Sequence, residues 1–148
     1  MISFALSIRA PGVSLLLCSL ITFFALPVCA ADRVAAGQYE YTTTIDGKPQ
    51  TFANCITAEE AKAFNGDAKA GRAYAENAAK GACKVTAYDV KGNLISYTME
   101  CEGSVITSSA TYHGDSFEGD TTTTVTVEGK RVGGGTAHTK AKRVGACK

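Results

Sequence analysis

The sequence predicts an α+β domain that is mainly antiparallel β. About seven strands form a curved sheet or small barrel in meander order, with a short helical insert between strands 2 and 3. Three observations carry this. Runs rich in Thr, Val and Tyr recur between glycine-containing turns from Cys83 onward. Ahead of them, Thr57-x-x-Glu60 opens an alanine-rich stretch. Cys83 and Cys101 stand at equal distances from Gly92, as two ends of one hairpin would.

Gln38 to Ile45 alternates, with Tyr39, Tyr41, Thr43 and Ile45 on one face and Gln38, Glu40, Thr42 and Thr44 on the other. That is the period of a half-buried strand. Asp46-Gly47-Lys48-Pro49 supplies turn chemistry, and Gln50 to Cys55 returns as a second strand. Thr57 and Glu60 fit a capping box, in which the threonine oxygen accepts a free helix N–H and the glutamate reaches back. A helix over Thr57–Phe64 follows, broken at Asn65-Gly66. Asp67 caps a second, alanine-rich helix that stops at Lys80-Gly81. Its apolar face is thin, mostly alanine plus Tyr74, which places it outside the sheet.

Five consecutive strands complete the chain: Cys83–Val90, Leu94–Cys101, Ser104–Tyr112, Phe117–Val127 and Thr136–Val144. A three-residue loop, Lys91-Gly92-Asn93 with Asn93 left-handed, pairs Cys83 with Cys101, Val85 with Met99 and Ala87 with Tyr97. A two-residue Gly92-Asn93 turn would send the two cysteines to opposite faces. Glu128 to Gly135 reads as a loop, flexible at Gly133-Gly134-Gly135. The basic run Lys140, Lys142 and Arg143 suits an edge strand, because lysines deter strand addition; contact with anionic lipid or a cell-wall polymer is the other reading.

Residues 1–30 have the form of a cleavable leader. Arg9 is their charge, Val13 to Leu26 is apolar, and Val28-Cys29-Ala30 fits a signal-peptidase site cut after Ala30. The run is short for a membrane helix, which uses about 20 residues. A lipoprotein anchor at Cys29 is disfavoured by Val28 before it. Residues 31–148 then form a single disulfide-stabilised exported domain, periplasmic or secreted. Without Arg9 the chain carries 14 basic and 14 acidic residues, and nothing in it calls for nucleic acid. No transmembrane segment is expected in the mature chain.

Cys18 and Cys29 leave with the leader, and Cys55, Cys83, Cys101 and Cys147 remain. An even count in an exported domain reads as disulfides. Zinc is the rival, but there is no C-x-x-C and His113 and His138 are not at ligand spacing. Chain direction selects the pairing. Cys83 and Cys101 lie at one end of the meander and Cys147 at the other, roughly 20 Å away for strands of this length. Bridged Cα atoms lie within about 7 Å. Cys83–Cys101 with Cys55–Cys147 is therefore expected, the second bridge helping to close the sheet.

These residues resemble a bacterial exported family, domain of unknown function 3617. The resemblance runs from Ala36-Gly37-Gln38-Tyr39-Glu40-Tyr41 through Cys55-Ile56-Thr57-Ala58-Glu59-Glu60 and Cys83-Lys84-Val85. It continues in Tyr97-Thr98-Met99-Glu100-Cys101 and Tyr112-His113-Gly114-Asp115 and ends on Arg143-Val144-Gly145-Ala146-Cys147. Ala36, Tyr39 and Ala58 depart from the family's usual proline, tryptophan and proline. The resemblance implies location and architecture but no activity.

No catalytic constellation emerges. His113 sits in a turn and His138 on a strand, without a nucleophile, base and orienting acid in a recognisable arrangement. Asp115, Glu118 and Asp120 cluster, but a calcium loop wants more oxygen ligands at regular spacing. The glycine run lacks the strand and helix of a phosphate cradle. We therefore expect a non-enzymatic binding module without cofactor or metal, its partner a small apolar ligand or an envelope component. Tyr39, Tyr41, Tyr97, Tyr112 and Phe117 are the candidates to face that ligand or to fill the core, with Ile106, Val125 and Val127 beside them. The alternative is an inhibitor or accessory partner of an envelope or foreign hydrolase, presenting His113–Ser116 or Gly133–Gly135 as a protruding loop.

Overall fold

The computed structural model describes residues 32–148; the expected leader and its cleavage point lie outside the described residues. The chain order is β1 (Gly37–Ile45), β2 (Lys48–Ile56), α1 (Ala58–Asn65), α2 (Ala68–Ala78), β3 (Cys83–Lys91), β4 (Leu94–Cys101), β5 (Ser104–Tyr112), β6 (Ser116–Val127) and β7 (Lys130–Gly145). The strands form one open seven-stranded antiparallel sheet in the order β2-β1-β7-β6-β5-β4-β3. The expected strand count and the position of the helical insert stand. The barrel option does not: β2 and β3 are separate edges, and no ladder joins them.

Local chemistry explains the joints. Thr57 Oγ1 accepts from the Glu60 N–H, and Glu60 Oε2 accepts from the Thr57 N–H at 2.7 Å, so the capping box is complete. Asp67 Oδ1 accepts from the Ala70 N–H at 2.8 Å and starts α2. Asp46-Gly47 and Glu128-Gly129 both have positive φ at their two central residues. They therefore turn as type I′ hairpins, whose twist matches that of the strands they join.

The β6–β7 turn corrects the reading of Glu128–Gly135 as a loop. The chain reverses at Glu128-Gly129, and the glycines belong to β7, where Gly133, Gly134 and Gly135 pair with Val125, Thr124 and Thr123. Gly134 has φ +137, and a Cβ there would collide with the Thr123 carbonyl oxygen. At Gly134 glycine is required by the close approach of the two backbones, not by flexibility. The basic run is also re-read. β7 is central, flanked by β1 and β6, so Lys140 and Lys142 guard no edge. Lys140 pairs with Glu118 at 3.5 Å, and Lys142 lies opposite Glu40.

Both expected disulfides are present. Cys83–Cys101 joins β3 to β4, and Cys55–Cys147 joins edge strand β2 to the residues after β7, passing the end of the intervening β1. The second bridge fastens the N-terminal hairpin to β7 without closing the sheet. The β3–β4 register differs in detail from expectation. The turn is the two-residue Gly92-Asn93, with positive φ at Gly92, and it pairs Tyr88 with Tyr97 and Ala87 with Thr98. A bulge at Thr86 then shifts the ladder by one residue, so that Val85 faces Met99 and Cys83 faces Cys101.

The register sorts the sheet into two faces. One carries the row Phe52, Tyr41, Ala141, Phe117 and Tyr112, then the row Thr43, Thr139, Gly119, Ala110 and Ile95. The other carries Thr44, His138, Asp120 and Ser109, with Thr42, Lys140 and Glu118 beside them. The helices pack on the first face. The core is small: Val34, Tyr39, Ile56, Ala61, Ile95, Tyr112 and Ala141 form its buried cluster, with Phe64, Tyr88 and Phe117 packed against it. Contrary to the expectation for a thin apolar face, α2 does not lie outside the sheet but covers this apolar side against β3. Gly71 is buried there and approaches the Tyr88 ring so closely that a Cβ would collide with it. Among the described residues, no helix is long and apolar enough to cross a membrane.

Candidate functional site

A partly enclosed cavity of about 570 Å³ lies between α2 and the apolar face of β3–β6. That volume falls within the range of small-molecule pockets, about 300–1,000 Å³. Its existence follows from residue sizes. α2 contributes Gly71, Tyr74, Ala75 and Ala78, with Ala79 just beyond its end; Gly71 meets Tyr88, but each alanine carries only a methyl group and leaves space above the sheet. The sheet answers with Ile95, Tyr97 and Met99 from β4 and with Ser108, Ala110 and Tyr112 from β5. β6 adds Phe117, Gly119 and Thr121, and Thr139 of β7 completes the floor. Small residues at Ala110 and Gly119 deepen the centre.

Aromatic rings frame the space. Tyr88 stacks on Tyr97 with centroids 6.3 Å apart, and Phe64 of α1 stacks on Tyr112 at 5.8 Å. Tyr112 in turn meets Phe117 at 5.0 Å. Burial pushes the Tyr112 phenol far above its ordinary range, and it raises the Tyr88 phenol as well. Both are therefore neutral hydrogen-bonding groups throughout the physiological pH range. The remaining polarity is hydroxyl: Ser108 Oγ and Thr121 Oγ1 are 3.1 Å apart, and Thr139 Oγ1 is 2.9 Å from Thr43 Oγ1. None of the described side chains that line the cavity carries a formal charge.

The structure divides the expected ligand-facing residues. Tyr97, Tyr112 and Phe117 line the cavity. Tyr39 does not: it is fully buried, and its hydroxyl donates toward the carbonyls of Ala35 at 2.8 Å and Gly114 at 3.1 Å. Tyr41 stacks on Phe52 at 4.9 Å, to the side of the cavity. Val125 and Val127 are exposed near the β6–β7 tip and fill no interior. Sequence reasoning missed Tyr88, Ile95, Met99 and the alanines of α2. Alternation with Tyr97 marks Ile95 and Met99 as inward-facing; Tyr88 reaches that face only through the bulge at Thr86, and nothing local marks alanine on a helix as the wall of a gap.

The polar residues singled out from sequence pair off elsewhere. His138 Nδ1 and Asp120 Oδ1 are 2.8 Å apart on the opposite, exposed face of the sheet. Glu118 meets Lys140, and Asp115 lies 3.9 Å from Arg143, so the acidic residues share no common focus. Among the described residues, no group of three or more His, Cys, Asp or Glu is placed to hold a metal ion.

Neither segment expected of an inhibitor is an untethered loop. In His113–Ser116, the Gly114 N–H donates to Arg33 O at 2.8 Å, and Asp115 O accepts from the Arg143 N–H at 2.7 Å. That turn is sewn to the N-terminal segment and to β7. Gly133–Gly135 is strand.

A family model described as "Protein of unknown function (DUF3617)" matches residues 34–147. No curated protein and no solved structure matches the chain.

Proposed function

The chain belongs to the DUF3617 family, proteins of unknown function, and we propose that it is a non-enzymatic binding module for a small apolar ligand. The single observation that carries this reading is the uncharged, aromatic-framed cavity of about 570 Å³ beneath α2. A helix that served only to cover the sheet would present leucine or isoleucine and bury them, at about 1.5–3 kcal/mol for each side chain. Alanine at Ala75, Ala78 and Ala79 forgoes that stabilisation. A ligand in the cavity restores it, because apolar surface on helix, sheet and guest leaves water together.

The same reading places the folded domain in the periplasm or outside the cell, where Cys55–Cys147 and Cys83–Cys101 persist. A reservoir or carrier for an envelope molecule suits such a site better than a reaction does, because the cavity offers no general base or nucleophile beside its phenols and hydroxyls.

The test is titration with the neutral fluorescent dye N-phenylnaphthylamine. Saturable enhancement is expected with the wild-type protein. Ala75→Leu, which extends a side chain into the cavity, should weaken binding about tenfold while the thermal midpoint holds or rises. A wild-type protein that gives no saturable signal, or an Ala75→Leu variant that folds and binds equally well, refutes the reading. Native mass spectrometry of protein recovered from its own cell envelope then identifies the guest.

A further inference from the structure

Resting on that reading, we infer that the cavity selects neutral ligands bearing a hydrogen-bond acceptor, such as a ketone, ester or quinone-like carbonyl, and rejects carboxylates of the same size. Two features on opposite sides of the chemistry point this way. The first is the absence of any formal charge among the described side chains lining the cavity. Moving an ionised carboxylate from water into such a space without a cation is strongly unfavourable; the acid would have to enter protonated. The lysines of the helical segment, Lys62, Lys69 and Lys80, are exposed and do not line the cavity, and Arg33 and Arg72 are already engaged. Arg33 donates to the carbonyls of Phe64, Asn65 and Gly66, and Arg72 to Glu76 and the Val85 carbonyl.

The second feature is the Ser108–Thr121 hydroxyl pair in the cavity wall, 3.1 Å apart, in which Ser108 is 9% exposed. Two hydroxyls carry two hydrogens, and the bond between them uses one. The other hydrogen remains for an acceptor. A purely hydrocarbon guest would cover that donor and leave it unsatisfied, whereas a carbonyl oxygen accepts from it. The register sets Tyr97 next to Ser108 across β4 and β5, so the donor sits at the end of the stacked Tyr88–Tyr97 pair. A flat conjugated carbonyl fits that arrangement, its ring against apolar and aromatic side chains and its oxygen toward the hydroxyls.

The experiment uses three probes of matched shape, acetylnaphthalene, ethylnaphthalene and naphthoic acid, each displacing N-phenylnaphthylamine from the wild-type protein. At neutral pH the ketone should bind about fivefold tighter than the hydrocarbon and more than about tenfold tighter than the acid. Affinity for the acid should recover as pH falls through its carboxyl pKa, with the ketone unchanged. The Ser108→Ala/Thr121→Val variant should bring the ketone down to the hydrocarbon while leaving the hydrocarbon's own affinity intact. Equal binding of acid and ketone at neutral pH overturns the inference and leaves the binding function standing. Equal binding of ketone and hydrocarbon to the wild type does the same. Failure of the dye itself to bind removes the parent reading and this one with it.

Discussion

Cys83 and Cys101 face each other with Cα atoms 4.1 Å apart, although the Gly92-Asn93 turn that joins their strands would by itself send them to opposite faces. The bulge at Thr86 reconciles the two by taking up one residue of β3. The bridge thus sits on a non-uniform ladder whose extra residue is dispensable to the pairing.

Deleting Thr86 should therefore keep the bond. Val85 stays opposite Met99, Lys84 opposite Glu100 and Cys83 opposite Cys101, now on a regular ladder. Non-reducing peptide mapping should recover the Cys83–Cys101 linked peptide from the deletion variant; a free Cys83 thiol would show that the bulge itself positions the sulfur.

The two bridges should differ in what they contribute. Cys55–Cys147 spans 92 residues and Cys83–Cys101 spans 18. On the chain-entropy account, removing the longer costs about 4.6 kcal/mol and the shorter about 3.2 kcal/mol. With a buried cluster this small, each is a large share of the total. Urea unfolding of the Cys55→Ala/Cys147→Ala and Cys83→Ala/Cys101→Ala variants should rank them in that order.

Arg33 caps the end of α1 from outside the helix, donating to Phe64 O at 2.6 Å and to Gly66 O at 2.8 Å. These are carbonyls that a helix leaves without partners at its C-terminus. Arg33→Ala should cost about 1.5–3 kcal/mol by chemical denaturation. Arg33→Lys should recover less than half of the loss, because an ammonium lacks the planar fork that reaches several carbonyls at once. Full recovery by lysine would mean that charge alone acts.

Alkaline pH should destabilise the fold through its tyrosines. Burial raises the phenols of Tyr112, Tyr39, Tyr41 and Tyr88 above their ordinary 10.0. Below that value folded and unfolded chains are equally protonated at these sites and nothing is lost. As pH rises from 10.0 toward the folded values, the unfolded chain releases protons that the folded chain keeps, and stability falls. The denaturation midpoint should drop across that window, and Tyr112→Phe should shallow the drop. A midpoint that is flat there would contradict the burial of these rings.

Much of the fold is legible from residues close together in the chain. The alternation Tyr39, Tyr41, Thr43 and Ile45 names the face of β1 that looks toward the core. Thr57 with Glu60 fixes the start of α1 to the residue, and Asp46-Gly47 fixes a hairpin. The disulfide pairing follows from strand direction and from a hairpin register in which the structure replaces the expected three-residue turn by a two-residue turn and a bulge. The misread segments share one cause. Gly133-Gly134-Gly135 has loop composition, and only the approach of β6 to β7 shows why glycine stands at Gly134. Lys140 and Lys142 look like an edge until β1 is found beside them.

The sequence by itself determined most of the strands, the helix caps and the bridges, because these depend on spacing of two to four residues or on chain direction, and the family, through the order of its motifs along the chain. Strand order and the cavity were decided only in three dimensions. β7 lies between β1 and β6 because its two flanks must both be paired, a condition no window of residues contains. The cavity is the difference between the reach of Ala75 and Ala78 on a helix and the height of Tyr97, Met99 and Tyr112 on a sheet. An alanine reads the same in sequence whether its helix packs tight or spans a gap, so only the packed volumes of distant elements could reveal that space was left.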